Sequence, residues 1–176
     1  MQYVPGQCAV QNLAINVPHV PNGAQAWEIT PGQVRSLQLG SQRVLGGTLI
    51  TIPEFDTTAA IVFTNDLSPT GMVVKWQDHS RRVGKLTAQW AIDLASLQIE
   101  KVSLVHGQLE SVAPQVPDAR QLLADAQRRL QEAQQAERNG NDREAYLNAM
   151  RAMRPLRILM RTHWENAFIS TQFSPT

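Results

Sequence analysis

The stretch that decides the fold is residues 72–112, MVVKWQDHSRRVGKLTAQWAIDLASLQIEKVSLVHGQLESV, some forty residues without a proline. At 1.5 Å per residue it makes a helix of roughly 60 Å. Val83, Leu86, Trp90, Leu94, Leu97, the aliphatic stem of Lys101, and Leu104 recur at three and four residues and so keep one stripe along that helix. A second set, Ala91, Ile92, Ala95, Ile99, Val102, Val105 and Leu109, widens the apolar surface beyond one buried face. The two stripes predict a helix that packs on two sides. Gly84 costs about 1 kcal/mol against alanine and marks a place for a kink or a close approach.

Downstream the pattern stays helical. Pro114 and Pro117 bracket a short connection, and Asp118 is placed to cap a helix over residues 119–138 with Leu122, Leu123, Ala126, Leu130 and Ala133 on its apolar face. Asn139-Gly140-Asn141 is a helix stop in which glycine takes a positive φ, after which Asp142 is placed to cap a third helix reaching about residue 168. Its stripe is Ala145, Ala149, Ala152, Leu156, Leu159, Met160, His163 and Ala167. Small residues on both later helices let them approach closely as a hairpin. Pro155 removes a hydrogen bond in mid-helix and predicts a bend near Arg151.

Upstream the chain reads as short strands. Residues 7–17 alternate and end at Pro18; residues 25–30 put Trp27 and Ile29 on one face before the Pro31-Gly32 turn. Residues 34–39 and 47–52 flank Gly46-Gly47 and are expected to form a hairpin closed off by Pro53. Residues 58–64, TAAIVFT, are a continuous β-branched and aromatic run expected to be buried on both faces. The expectation is therefore an α+β chain. Residues 1–67 form five antiparallel strands, half of a β-sandwich whose other strands belong to a preceding region. Residues 68–170 form an antiparallel, coiled-coil-like three-helix bundle (72–112, 118–138, 142–168), and residues 171–176 a disordered tail.

With 16 basic against 15 acidic side chains, the net charge of +1 gives no field of the kind that gathers nucleic acid or anionic membrane. A lone Cys8 forms no internal disulfide, and no run of apolar residues is long enough to span a bilayer. Arg151, Arg154, Arg157 and Arg161 line one side of the third helix, either as a basic interaction face or as a solvated face paired with carboxylates such as Asp93 and Glu100. His163 lies on the apolar stripe with no second histidine or cysteine at ligand spacing, which reads as a hydrogen-bonded core histidine; no cofactor or metal is expected. Trp90 and Trp164 sit at helical-core spacing and read as packing, whereas Trp27 on a short strand is the candidate for stacking on a sugar ring. No nucleophile elbow, phosphate loop or paired-carboxylate site accompanies them.

Residues 26–32 (AWEITPG), 34–37, 44–51, Ile52-Pro53-Glu54-Phe55 and 57–64 resemble, in that order, the closing strands of the all-β domain that follows the catalytic barrel in many glycoside hydrolases. The helical part, with residues 154–161 and His163-Trp164-Glu165, is similar to a region of large uncharacterised bacterial proteins with the same β-then-helix order. The resemblance covers roughly residues 5–168. It implies a non-catalytic accessory region of an exported, multidomain, carbohydrate-active protein, packed beside a barrel-like domain of the same polypeptide. The catalytic carboxylates of such proteins belong to the barrel, so none falls on these positions. A protein-interaction module built on the helices and a weak carbohydrate-binding module are the alternatives.

Overall fold

The computed structural model describes residues 10–37 and 42–172, without the side chains of residues 170–172. Cys8, Leu39 and the tail at residues 173–176 lie outside the described residues. The chain divides into two compact units inside its longest helix, between Gly84 and Lys85.

The first unit is β-rich. Its strands are β1 (Val10–Val17), β2 (Gln25–Thr30), β3 (Gln33–Ser36), β4 (Gln42–Val44), β5 (Gly47–Phe55) and β6 (Ala60–Thr64). They make two antiparallel three-stranded sheets, ordered β1-β5-β4 and β3-β2-β6. Alternation along β5 turns Thr48, Ile50 and Ile52 inward. Ile50 and Ile52 share one core with Ala26 and Leu37 from the other sheet, closed by Leu13, Val17, Phe55, Ile61 and Phe63. Both layers of the sandwich thus lie within this chain, where the sequence suggested five strands of a single layer.

Three local readings change with it. Residues 34–36 pair with β2 across the Pro31-Gly32 turn, not with β5, because Thr30 Oγ1 fixes that turn by accepting from the Gln33 N–H at 3.1 Å. The hairpin partner of β5 is β4, joined through Leu45-Gly46 with Gly46 at φ +89°. Gly47 lies so close to β1 that a Cβ there would sit 2.4 Å from the Val17 carbonyl oxygen. Pro53 does not end β5: pairing runs on to Phe55, and opposite the proline, which has no N–H to offer, Asn12 adopts φ +53°. β6 is an edge strand and only half-buried.

Helix α1 (Met72–Leu109) begins in this unit. The Asp66 carboxylate caps it, accepting from the Met72 N–H at 3.2 Å and from the Ser68 hydroxyl at 2.7 Å. Gly71 makes room for it, since a Cβ there would meet that carboxylate at 2.5 Å.

The second unit is a three-helix bundle of the remainder of α1, α2 (Ala119–Arg138) and α3 (Asp142–Gln172). Two core tiers fix the helix directions. Ala88, Ala91, Ile92 and Ala95 meet Ala133 of α2 and Ala145, Ala149, Ala152 and Met153 of α3. Ile99 and Val102 meet Ala119 and Ala126 of α2 and Leu156 and Leu159 of α3. α1 and α3 therefore run parallel, with α2 antiparallel to both. Ala126 and Ala133 in α2 are seven residues apart, and the buried positions of α1 and α3 step by four and three, as a seam between nearly aligned helices requires.

The helix ends are set locally. After α2, Gly140 at φ +73° lets its N–H reach Glu137 O (2.9 Å) and the Asn141 N–H reach Ala136 O (2.9 Å), satisfying the last carbonyls. α3 is capped by Asn141, whose Oδ1 accepts from the Glu144 N–H at 3.3 Å, one residue before the Asp142 named from sequence. It runs through the buried Pro155 and past residue 168 to Gln172, so residues 171–172 are helical and not tail.

Candidate functional site

Two features of the bundle stand out. The first is a polar pair beyond the second core tier. Continuing the four-three spacing from Val102 and Leu159 brings His106 of α1 and His163 of α3 to the same level, where apolar residues would be expected. Their rings meet at a centroid distance of 5.2 Å, with His106 Nδ1 2.9 Å from His163 Nε2. His163 is 6% exposed, and its Nδ1 has no hydrogen-bond partner among the described residues. An orphaned donor costs more than an orphaned acceptor, so the consistent assignment leaves Nδ1 bare. His163 then donates from Nε2 to His106, and His106 carries its own proton on Nε2, facing Glu110 Oε1 at 3.4 Å. Burial, with the neighbouring His106 as a second cause, holds the His163 pKa below the ordinary histidine range.

The pair lines a pocket of about 480 Å³ with Glu110, Arg120 and the Pro114–Pro117 connection. Sequence reading found His163 and missed its partner, because 57 residues separate them and only the helix register brings them together. Among the described residues, no group of three or more His, Cys, Asp or Glu side chains is arranged to hold a metal ion.

The second feature is the outer face of α1. Of its two stripes, only the set around Ala91, Ala95 and Ile99 enters the bundle, and Ala88 and His106 belong to it as well. Leu86, Leu94 and Leu97 are exposed on the other, as are Trp90 (63%) and Leu104 (62%). The helix packs on one side there, not two. Both stripes have helical spacing, and periodicity alone does not say which one meets the bundle. Lys101 lies within the exposed stripe, and Asp93 and Glu100 are exposed beside it. Trp164, read from sequence as packing, is also exposed (62%) and stacks on Phe168 at 5.5 Å on α3.

The residues singled out in advance are spread over both units. Arg151, Arg154 and Arg157 are half-buried and Arg161 is exposed. Arg151 contacts Asn148 Oδ1 at 3.2 Å and Glu144 at 3.6 Å, and Arg161 pairs with Glu165 at 2.7 Å, partners on α3 itself. Trp27 is half-buried in the centre strand of its sheet, opposite Ser36 and Val62, with a buried Nε1 that has no partner among the described residues. Glu28 next to it is buried and ion-paired to Arg35 across the ladder, Nε to Oε2 at 2.8 Å. Among the described residues, no helix is long and apolar enough to cross a membrane. No protein-family model, curated protein or solved structure matches the chain.

Proposed function

We propose that this chain is a docking module, an accessory part of a larger protein, that seats a neighbouring domain of the same polypeptide on the outer face of α1. The observation that carries this is the exposed row Leu86, Trp90, Leu94, Leu97 and Leu104. Five large apolar side chains in a line expose on the order of 500 Å², as large as the biggest apolar patch of an ordinary monomer and enough for half of a small interface. Trp90, with its large rigid surface, is the natural anchor. The near-zero net charge favours a protein occupant over nucleic acid. That the occupant is a glycoside-hydrolase-type barrel in an exported bacterial protein is supported by the sequence resemblances of the β-rich and helical parts.

The test is a double substitution, Leu94→Glu with Leu97→Glu, in the parent polypeptide. Both positions are exposed, so the isolated chain should keep its unfolding free energy to within about 0.5 kcal/mol. In the parent, the neighbouring domain should melt earlier, and amides of residues 86–104 should lose hydrogen-exchange protection. Unchanged melting together with unchanged exchange would overturn the docking reading.

A further inference from the structure

The exposed row on α1 is narrow as well as long. Leu86, Trp90, Leu94, Leu97, Lys101 and Leu104 step by four and three along about 27 Å of helix and lie within about 80° of its circumference. A helix that faces the broad core of a domain shows an apolar stripe of about 100° or more, whereas a narrower stripe is the seam that a single other helix covers. Both edges are polar: Asp93 and Glu100 are exposed along one side and Gln98 along the other. Lys101 puts one cation within the seam itself.

These charges argue against a second copy of the chain as the occupant. Two copies packed with their seams in parallel would set Lys101 against its own equivalent, and a polar group at such a position governs which partner a helix accepts. Packed antiparallel about a two-fold axis across the seam, they would bring the two acidic edges together on one side, carboxylate against carboxylate. Either pairing is repulsive, so the face is complementary to something other than itself.

Resting on the docking role of that face, we propose that the occupant is an amphipathic α-helix of the neighbouring domain, with apolar side chains spaced by three and four, a carboxylate opposite Lys101 and a basic edge alongside Asp93 and Glu100. Trp90 and the four leucines bury against its apolar side, and Trp90 contributes the largest single area. The aliphatic stem of Lys101 lies along the seam while its ammonium reaches the facing carboxylate. The apolar row supplies the affinity, and the charges set register and partner.

The experiment titrates the intact chain into two dye-labelled synthetic helical peptides, each three heptads long with leucine at the seam positions, read by fluorescence anisotropy. The first peptide has glutamate at its central seam position and lysine along both edges, which makes the match independent of peptide direction. The second has lysine at the centre and glutamate along both edges. The first should bind with a dissociation constant on the order of 10 μM, about tenfold tighter than the second, and high salt should narrow the gap. Lys101→Glu, at an exposed position, should weaken the first peptide about fivefold, and Leu94→Glu with Leu97→Glu should abolish its binding. The chain alone should sediment as a monomer at tens of micromolar. If the double substitution lowers the melting of the neighbouring domain in the parent polypeptide but neither peptide binds, or both bind equally, the helix is overturned and the docking role stands. If the double substitution leaves the parent unchanged, the docking role falls and the helix with it. A dimer of the chain alone, or peptide binding that survives the double substitution, also overturns the helix.

Discussion

His163 carries the clearest single-residue consequence. Its folded-state pKa lies below the ordinary value of about 6.5, so between those two values the unfolded chain binds more protons than the folded one. Stability therefore rises with pH through that window; it is complete above about 6.5 and declines as pH falls below it. Urea midpoints at a series of pH values should show the decline, and His163→Leu, isosteric enough for the apolar tier below it, should flatten the curve. Asp66 acts in the opposite sense chemically but the same sense in pH. The Ser68 hydroxyl, then the Met72 N–H, hold its carboxyl below the usual range. Its support of the helix start is present above the unfolded carboxylate value near 4 and is lost as pH falls through the lower folded one. Gly47→Ala sets a methyl against the Val17 carbonyl, with no flexible end to give way, and should cost about 1–3 kcal/mol in chemical denaturation. Gly140 was legible from its Asn-Gly-Asn context, a signal contained in three consecutive residues. Asp66 was not, since its carboxylate reaches six residues forward to Met72 through a fold in the connection.

At the scale of elements, the bundle grades from an alanine tier to a leucine tier. Leu159 is fully buried among Ile99, Val102, Ala126 and Leu156, so Leu159→Ala should cost about 2–5 kcal/mol by the cavity it leaves. Ala149 is fully buried in the alanine tier, where helix backbones stand close; Ala149→Leu should cost about 1–3 kcal/mol by overpacking, measured as a lowered urea midpoint. The second helix could be read from sequence nearly to the residue, because it has one apolar stripe with a proline before it and a glycine after it; the third was legible at its start, after Gly140, but not at its end, where neither residue marks a stop. α1 could be placed but not oriented, because it carries two stripes of equal period and the less bulky one is buried. The strands fared worse. A proline inside β5 and a turn at Pro31-Gly32 are local signals with more than one outcome, and the choice was made by pairing with strands distant in sequence.

For the molecule as a whole, the division at Gly84 and Lys85 predicts that α1 is not one cooperative piece. Native-state hydrogen exchange should show the amides of residues 85–109 opening with α2 and α3, and those of residues 72–84 opening with the sheets. A single opening free energy along all of α1 would contradict that. The α+β character and the helix-after-strand order were legible throughout, because period two gives way to period three and four near Pro69. The second sheet of the sandwich was not, since nothing in a four-residue strand says which neighbour it will take. The candidate site was half legible: His163 stood out from its stripe, and His106 acquired meaning only from the register.

That register is itself guarded by the size step between the tiers. Slide α3 by seven residues one way against α1 and the alanines of positions 145–152 would face isoleucine and valine across a void; slide it seven the other way and Leu156 and Leu159 would be forced against alanines with no room for them. The histidines would lose each other in either slip and be left as buried polar groups without partners. A uniform leucine seam would tolerate several alignments; this one encodes a single alignment in the volumes of its side chains, as the teeth of a key admit one depth of insertion.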